Sequence, residues 1–172
     1  VTHPQPSLFI LLLLVVIAEI LLLVLVRLFL LHLEPISNLH TPSRIALLDF
    51  MEFADRCVFL AFHAPFDQRM LGRSLRQELG LRLQHVFIDI AELAPMLYPE
   101  AEVARGGLDD WLGHFKLNNS QRHNAAADAL ATAEIALILL HRARAQGIDS
   151  LAELQARLGD WRKLQRSRSN TI

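Results

Sequence analysis

Cysteine is almost absent from this chain, whose 172 residues include only Cys57. An internal disulfide framework is therefore excluded, and a single thiol fits a reducing compartment. Cys57 stands in an apolar run, which favours a small buried hydrophobe over a reactive thiol. An excess of one charge is also lacking, because the formal net charge is -1. No field of the whole molecule therefore attracts nucleic acid.

Hydrophobicity is what the chain has in excess, at 52% of its residues, and it is concentrated near the N-terminus. The run Leu8–Leu33 is almost entirely apolar, and its polar residues are Glu19, Arg27 and His32. Two charges near a bilayer centre cost roughly 3 kcal/mol each, whereas about twenty apolar positions contribute roughly -0.5 kcal/mol each. The run is also long enough for a hydrocarbon core of about 30 Å. We therefore predict a transmembrane anchor.

The orientation of this segment follows from its flanking charges. No Lys or Arg precedes Leu8, whereas Arg44 and Arg56 follow the run. This asymmetry predicts a cytoplasmic C-terminal part, anchored to the inner face of the cell membrane through residues 8–33. Two alternatives stay open. The chain begins with Val1, so a truncated or frame-shifted start could have displaced another N-terminus, and the run could instead be a buried core helix.

Downstream of the apolar run, strand and helix patterns alternate, which predicts an α/β layer architecture. We divide the chain into an apolar segment with its linker (1–41), a partial domain (42–160) and a basic tail (161–172). The tail is predicted to be a mobile, solvated end, with contact to a phosphate backbone as the alternative. The predicted strands are Cys57–Phe62 and Val86–Ile90, and the predicted helices are Arg44–Ala54, Asp67–Leu79, Ala91–Leu97, Leu108–Phe115, Asn124–Gln146 and Ser150–Leu158.

Two short motifs carry chemistry. The segment 62–67 reads Phe-His-Ala-Pro-Phe-Asp and directly follows an apolar run. The segment 122–133 reads Arg-His-Asn-Ala-Ala-Ala-Asp-Ala-Leu-Ala-Thr-Ala and places a histidine five residues before an aspartate at the start of a long helix. Taken alone, each acid would be a helix cap or a solvated side chain. Together, and in register with the segments 47–54, 87–94 and 108–112, they resemble the second and third motifs of the DEDDh 3'-5' exonucleases.

This family includes the proofreading epsilon subunit of bacterial DNA polymerase III, and the resemblance covers about residues 44–158. It implies a ribonuclease H-like fold with a five-stranded mixed sheet. The family's opening strands carry an Asp-x-Glu motif that occurs nowhere in this chain. We therefore expect an incomplete ribonuclease H-like α/β fold with an added N-terminal apolar helix. The missing strands should leave an apolar face partly open, against which Leu8–Leu33 could lie.

The resemblance also implies roles for individual residues. His123 corresponds to the general base, Asp128 to a metal ligand, and Asp67 to a second metal ligand that supports the site. His63, where the family more often has Asn, and Phe66 correspond to positions that place the substrate end. The implied cofactor is Mg²⁺ or Mn²⁺, and two-metal hydrolysis of phosphodiesters needs several carboxylates. Without Asp-x-Glu, we expect at most one weakly held ion and little activity.

Three functions stay open at this point. The leading one is metal-dependent hydrolysis at single-stranded DNA 3' ends, with a DNA polymerase or repair complex as partner. The second is a catalytically inactive, truncated or membrane-tethered exonuclease-like module. The third is a small membrane protein whose cytosolic helices merely pack. Of the two tryptophans, which could stack on bases, Trp111 is expected to be mainly core.

Overall fold

The computed structural model describes residues 43–103, 106–117 and 125–169. The predicted transmembrane segment Leu8–Leu33 and the predicted base His123 therefore lie outside the described residues. Within the described ranges, no helix is both long and apolar enough to cross a bilayer. The element order is α1 (Ser43–Ala54), β1 (Phe59–Ala61), α2 (Ala64–Leu79), β2 (Phe87–Asp89), α3 (Ile90–Leu97), α4 (Leu108–Phe115), α5 (Ala125–Ala145) and α6 (Leu151–Ser169).

The two predicted strands form a parallel pair. Phe59 lies opposite Phe87, Leu60 opposite Ile88, and the register ends with Ala61 opposite Asp89. The chain passes from β1 to β2 through α2, because parallel neighbours need a crossover connection. Both strands are shorter than the apolar runs that predicted them. Their carboxyl ends meet at one edge of the sheet, where the second motif begins.

Helices cover the two faces of this small sheet. Leu60 and Ile88 belong to the larger apolar core, which also contains Ile135 and Leu139 of α5. Phe59, one position away on β1, belongs to a second core with residues of α1 and α2 such as Phe50. Successive side chains of a strand point to opposite faces. A strand covered on both faces is apolar throughout, which explains the unbroken apolar pattern of β1.

The long helix α5 packs on β1, α3 and α4, as expected for the helix that carries the third motif. Small side chains on α5, including Ala136 and Ala143, are buried in the core shared with these neighbours and permit their close approach. Trp111 of α4 has 0% exposure, so its assignment to the core is confirmed. The α/β layering is therefore present, although the described elements are mostly helical.

Two helix boundaries differ from those predicted. Helix α2 begins at Ala64 rather than Asp67, with Pro65 in its first turn, where a missing backbone N–H costs nothing. It ends as predicted before Gly80, whose φ of 67° is the left-handed conformation that favours glycine. The predicted end of the last helix at Leu158 is wrong, because α6 continues to Ser169. Leu158 is buried, and Arg162 pairs with Glu92, so α6 is held at least to that turn.

Candidate active site

The turn between β1 and α2 places the second motif. His63, the residue before α2, adopts the left-handed conformation with φ 67° and ψ 46°. This conformation is uncommon for residues other than glycine and needs support from its surroundings. The support comes from the next strand: the His63 N–H donates to Asp89 Oδ1 at 2.9 Å. Asp89 therefore fixes the backbone from which Asp67 and Phe66 extend.

Asp89 is a site residue that the sequence analysis missed. It ends β2, is only 5% exposed, and also accepts the Ala91 N–H at 3.0 Å, which caps α3. Burial raises the pKa of Asp89, and the backbone N–H groups of Ala91 and His63 partly oppose this rise. The sequence did contain a signal for Asp89: an acid between an apolar strand and an apolar helix is in the position of an N-cap. That signal predicts the bond to Ala91 but not the bond to His63.

Asp67 lies in the first turn of α2 and is half-buried. Burial raises its pKa to about 6, and the neighbouring Asp89 charge adds to the rise. Its own backbone N–H and, to a smaller extent, the His63 charge work against it. Among the residues that the structure describes, Asp67 has no ion-pair partner. A desolvated carboxylate beside a second acid is costly to ionise unless a positive charge compensates it. The environment of Asp67 is therefore one in which a bound cation would favour the ionised carboxylate.

The other predicted site residues have fewer contacts that define their positions. Asp128 lies in the first turn of α5 and is half-buried, and its backbone carbonyl accepts the Thr132 hydroxyl at 2.9 Å. Phe66 is 57% exposed, and the His63 side chain is also exposed. The structure thus brings His63, Asp67 and Asp89 together at the end of the sheet. It sets Asp128 on the helix that packs against β1.

The donor set is compatible with a hard cation. Carboxylate oxygens are the ligands that Mg²⁺ and Mn²⁺ prefer, and Asp67 provides one that no arginine or lysine neutralises within the described ranges. No group of three or more potential metal-binding side chains occurs among the described residues. The predicted ligand pair Asp67 and Asp128, with at most one weakly held ion, stays a prediction.

Comparison with known proteins gives one family and a set of relatives. Residues 34–136 match the model of the RNase_T exonuclease family. The chain is 33% identical over 107 residues to a DNA polymerase III of the PolC type from Caldanaerobacter subterraneus subsp. tengcongensis. It is 32% identical over 121 residues to the PolC-type polymerase of Bacillus subtilis and 27% identical over 128 residues to that of Streptococcus mutans.

The matched regions are large parts of this chain but small parts of those polymerases. They cover 62%, 70% and 74% of this chain and 7%, 8% and 9% of the three relatives. The chain therefore spans less than a tenth of the length of the curated relatives it matches. No solved structure matches the chain. The matched family segment includes both strands and residues 125–136 of α5, and it ends before α6.

Proposed function

The chain belongs to the RNase_T exonuclease family, and on this basis we propose that it is a 3'-5' exonuclease module of the DNA polymerase III proofreading type. Its substrate would be the 3' end of single-stranded DNA, and its cofactor Mg²⁺ or Mn²⁺. The observation that carries the proposal is the environment of Asp67. This carboxylate is desolvated, lies beside a second acid at the end of a parallel strand, and has a pKa of about 6.

The proposal assigns a task to each site residue. Asp67 and Asp128 would hold a divalent ion, which supplies positive charge against the phosphate oxygens of the scissile bond. His123 would accept the proton of the attacking water, a task suited to an imidazole near neutral pH. The exposed ring of Phe66 can stack on the terminal base. The left-handed backbone of His63 directly precedes the helix that carries both residues.

We further propose that β1 and β2 are the last two strands of an incomplete ribonuclease H-like sheet. Their parallel pairing through α2, and the packing of α5 on β1, support this correspondence. The family's Asp-x-Glu motif would belong to an earlier strand, and no Asp-x-Glu occurs in the 172 residues. Loss of such ligands costs several kcal/mol of transition-state stabilisation, and about 1.4 kcal/mol is tenfold in rate. The isolated chain should therefore have little activity.

The test is release of label from a 3'-labelled single strand in the presence of Mn²⁺. We expect almost none from the 172-residue chain, and clear release once an opening strand with Asp-x-Glu is fused before α1. In that fused protein, His123→Ala and Asp128→Ala should each abolish release, whereas Lys163→Gln should not. Robust release by the unmodified chain, lost on Asp128→Ala, would contradict the importance given to Asp-x-Glu. No release from the fused protein would contradict the exonuclease assignment.

The second candidate function is a catalytically inactive module that binds a strand or a polymerase without hydrolysis. The absence of Asp-x-Glu from the chain favours it. The matched relatives are DNA polymerases, so a polymerase is the partner that either function would predict. The two candidates differ in the fused protein, because a module that has lost its remaining catalytic groups would stay inactive.

A further inference from the structure

A groove runs between the site and the C-terminal helix α6. Its volume is about 300 Å³, at the small end of the range for ligand pockets. On one side it is lined by Pro65 and Gln68 at the start of α2, together with Asp89, and on the other by Glu92, Arg162 and Arg166. Pro65 and Asp89 are also part of the turn that presents Asp67. The groove is therefore continuous with the candidate active site.

Arg162 enters this groove in an orientation that is set by Glu92. Its Nε–H donates to Glu92 Oε2 at 2.8 Å, and its Nη2 group donates to the same oxygen. A guanidinium carries five N–H donors in a rigid plane, so this contact leaves several of them available. The contact holds the side chain in place and neutralises one charge. Arg162 is thus a positioned donor more than a source of net charge.

Arg166 supplies the net charge. It lies one helical turn after Arg162, lines the same groove and is exposed. No acidic partner for Arg166 occurs within the residues that the structure describes. Two other cations of α6 are compensated by acids on the helix itself, since Lys163 pairs with Asp160 and Arg157 with Glu153. Arg166, which lines the groove, is therefore one of the α6 cations that no acid neutralises within the described residues.

Resting on the proposed function, we propose that the Arg162–Arg166 groove binds a backbone phosphate of the single strand whose 3' end lies at Asp67. Arginine binds phosphate oxygens through paired N–H donors, and a charge on a groove wall tracks a nucleic-acid backbone. The small volume suits a sugar-phosphate unit rather than a folded peptide. Both arginines lie beyond residues 34–136, so the family match does not include them.

The experiment measures binding of the full chain to a short fluorescent oligothymidylate in EDTA, by anisotropy, over a series of salt concentrations. Arg166→Gln should weaken binding roughly three- to tenfold at low salt and reduce the salt slope by about 0.7. Arg162→Gln should also weaken binding. Glu92→Gln should strengthen it, because the charge of Arg162 is then no longer neutralised. Lys163→Gln is the matched control on the same helix and should leave binding unchanged.

Further measurements distinguish a DNA backbone from other ligands that carry phosphate. Thymidine monophosphate, inorganic phosphate and anionic phosphatidylglycerol vesicles are compared with the oligothymidylate, and circular dichroism checks that each variant is folded. The proposal is supported if only the oligothymidylate loses affinity on Arg166→Gln. It is overturned if the mononucleotide binds as tightly with the same arginine dependence, or if Arg166→Gln weakens vesicle binding alone.

Two results tell failure of this proposal from failure of the proposed function. If the wild-type chain binds the strand and both arginine variants bind it equally well, the groove is not a phosphate site, and the exonuclease proposal is unaffected. If the wild-type chain does not bind the strand at all, the groove proposal is overturned, and the fused protein alone decides the exonuclease proposal.

Discussion

Asp89 is the last residue of β2, and Asp67 lies in the first turn of α2, the helix that follows the neighbouring strand β1. Burial raises the pKa of both. Asp89 accepts two backbone N–H groups, from His63 and Ala91, so its oxygens maintain the turn and the start of α3. Asp67 accepts only from its own backbone N–H, and within the described ranges no arginine or lysine pairs with it; the His63 charge is the smallest influence on its pKa. Two neighbouring acids thus differ in that one carboxylate holds two distant backbone N–H groups and the other holds none.

The largest effect should come from Asp89→Ala. This change leaves the His63 and Ala91 N–H groups without their acceptor and removes the cap of α3. Hydrogen bonds to a charged acceptor contribute roughly 1.5 to 3 kcal/mol, and an N-cap about 1 kcal/mol, so we expect a loss of roughly 2 to 4 kcal/mol. Urea unfolding followed by circular dichroism measures it. Asp89→Asn, which keeps an acceptor oxygen, is the control and should lose much less. A loss under about 0.5 kcal/mol for Asp89→Ala would mean that Asp89 does not hold the turn.

The next largest effect concerns the backbone that Asp89 holds. A β-branched residue is strongly disfavoured in the left-handed conformation of His63. His63→Val should therefore lower the free energy of unfolding by roughly 1 to 2 kcal/mol. His63→Asn should be close to neutral, because asparagine tolerates this region well. Thermal unfolding of the two variants tests the difference. Equal melting temperatures would show that the turn relaxes away from this conformation.

Asp67→Asn should have a smaller effect of the opposite sign. The pKa of Asp67 rises from 3.8 to about 6 in the folded state, so the folded protein holds a proton that the unfolded chain has lost between these values. Its stability therefore falls as pH rises through this window. Because Asp67 is only partly buried, we expect Asp67→Asn to be about 1 kcal/mol more stable than wild type near pH 8. The two should be equal near pH 3. Urea midpoints across this range measure it, and a pH-independent difference would contradict the raised pKa.

The smallest effect should come from Glu92→Gln. Glu92 and Arg162 form a pair whose side chains are 35% and 38% exposed. Pairs with this much solvent contact contribute roughly 0 to 1 kcal/mol. Glu92→Gln should therefore change the urea midpoint only slightly, and less so at high salt. A loss of stability comparable to that of Asp89→Ala would show that Glu92 also has a structural role.

Local patterns predicted several features of the fold. The short helix α4 begins and ends where the sequence indicated, at Leu108 and Phe115. The end of α2 at Leu79 and the places of the two strands along the chain were also predicted correctly. Each of these depends on residues that are close together in the chain, or on apolar runs that must be buried on both faces of a sheet. The family resemblance itself came from two motifs of this kind.

Contacts between distant residues explain what the sequence analysis missed. Asp89 supports His63 across 26 positions, so its second role was invisible in a local N-cap pattern. The end of α6 was placed too early because the residues after Leu158 are mostly polar. A pair that spans 70 positions, Arg162 with Glu92, holds this part of the helix against α3.

The sequence by itself determined the family, the alternation of strands and helices, and the acids and histidines available for chemistry. These are properties of residue type and spacing, which the order of amino acids specifies directly. Only the tertiary structure decided which acid supports the turn before α2. The chain brings β1 and β2 together in parallel, and burial at their shared edge raises the pKa of both carboxylates. The N–H groups of His63 and Ala91 then reach Asp89 and not Asp67, because backbone donors act only over hydrogen-bond distances.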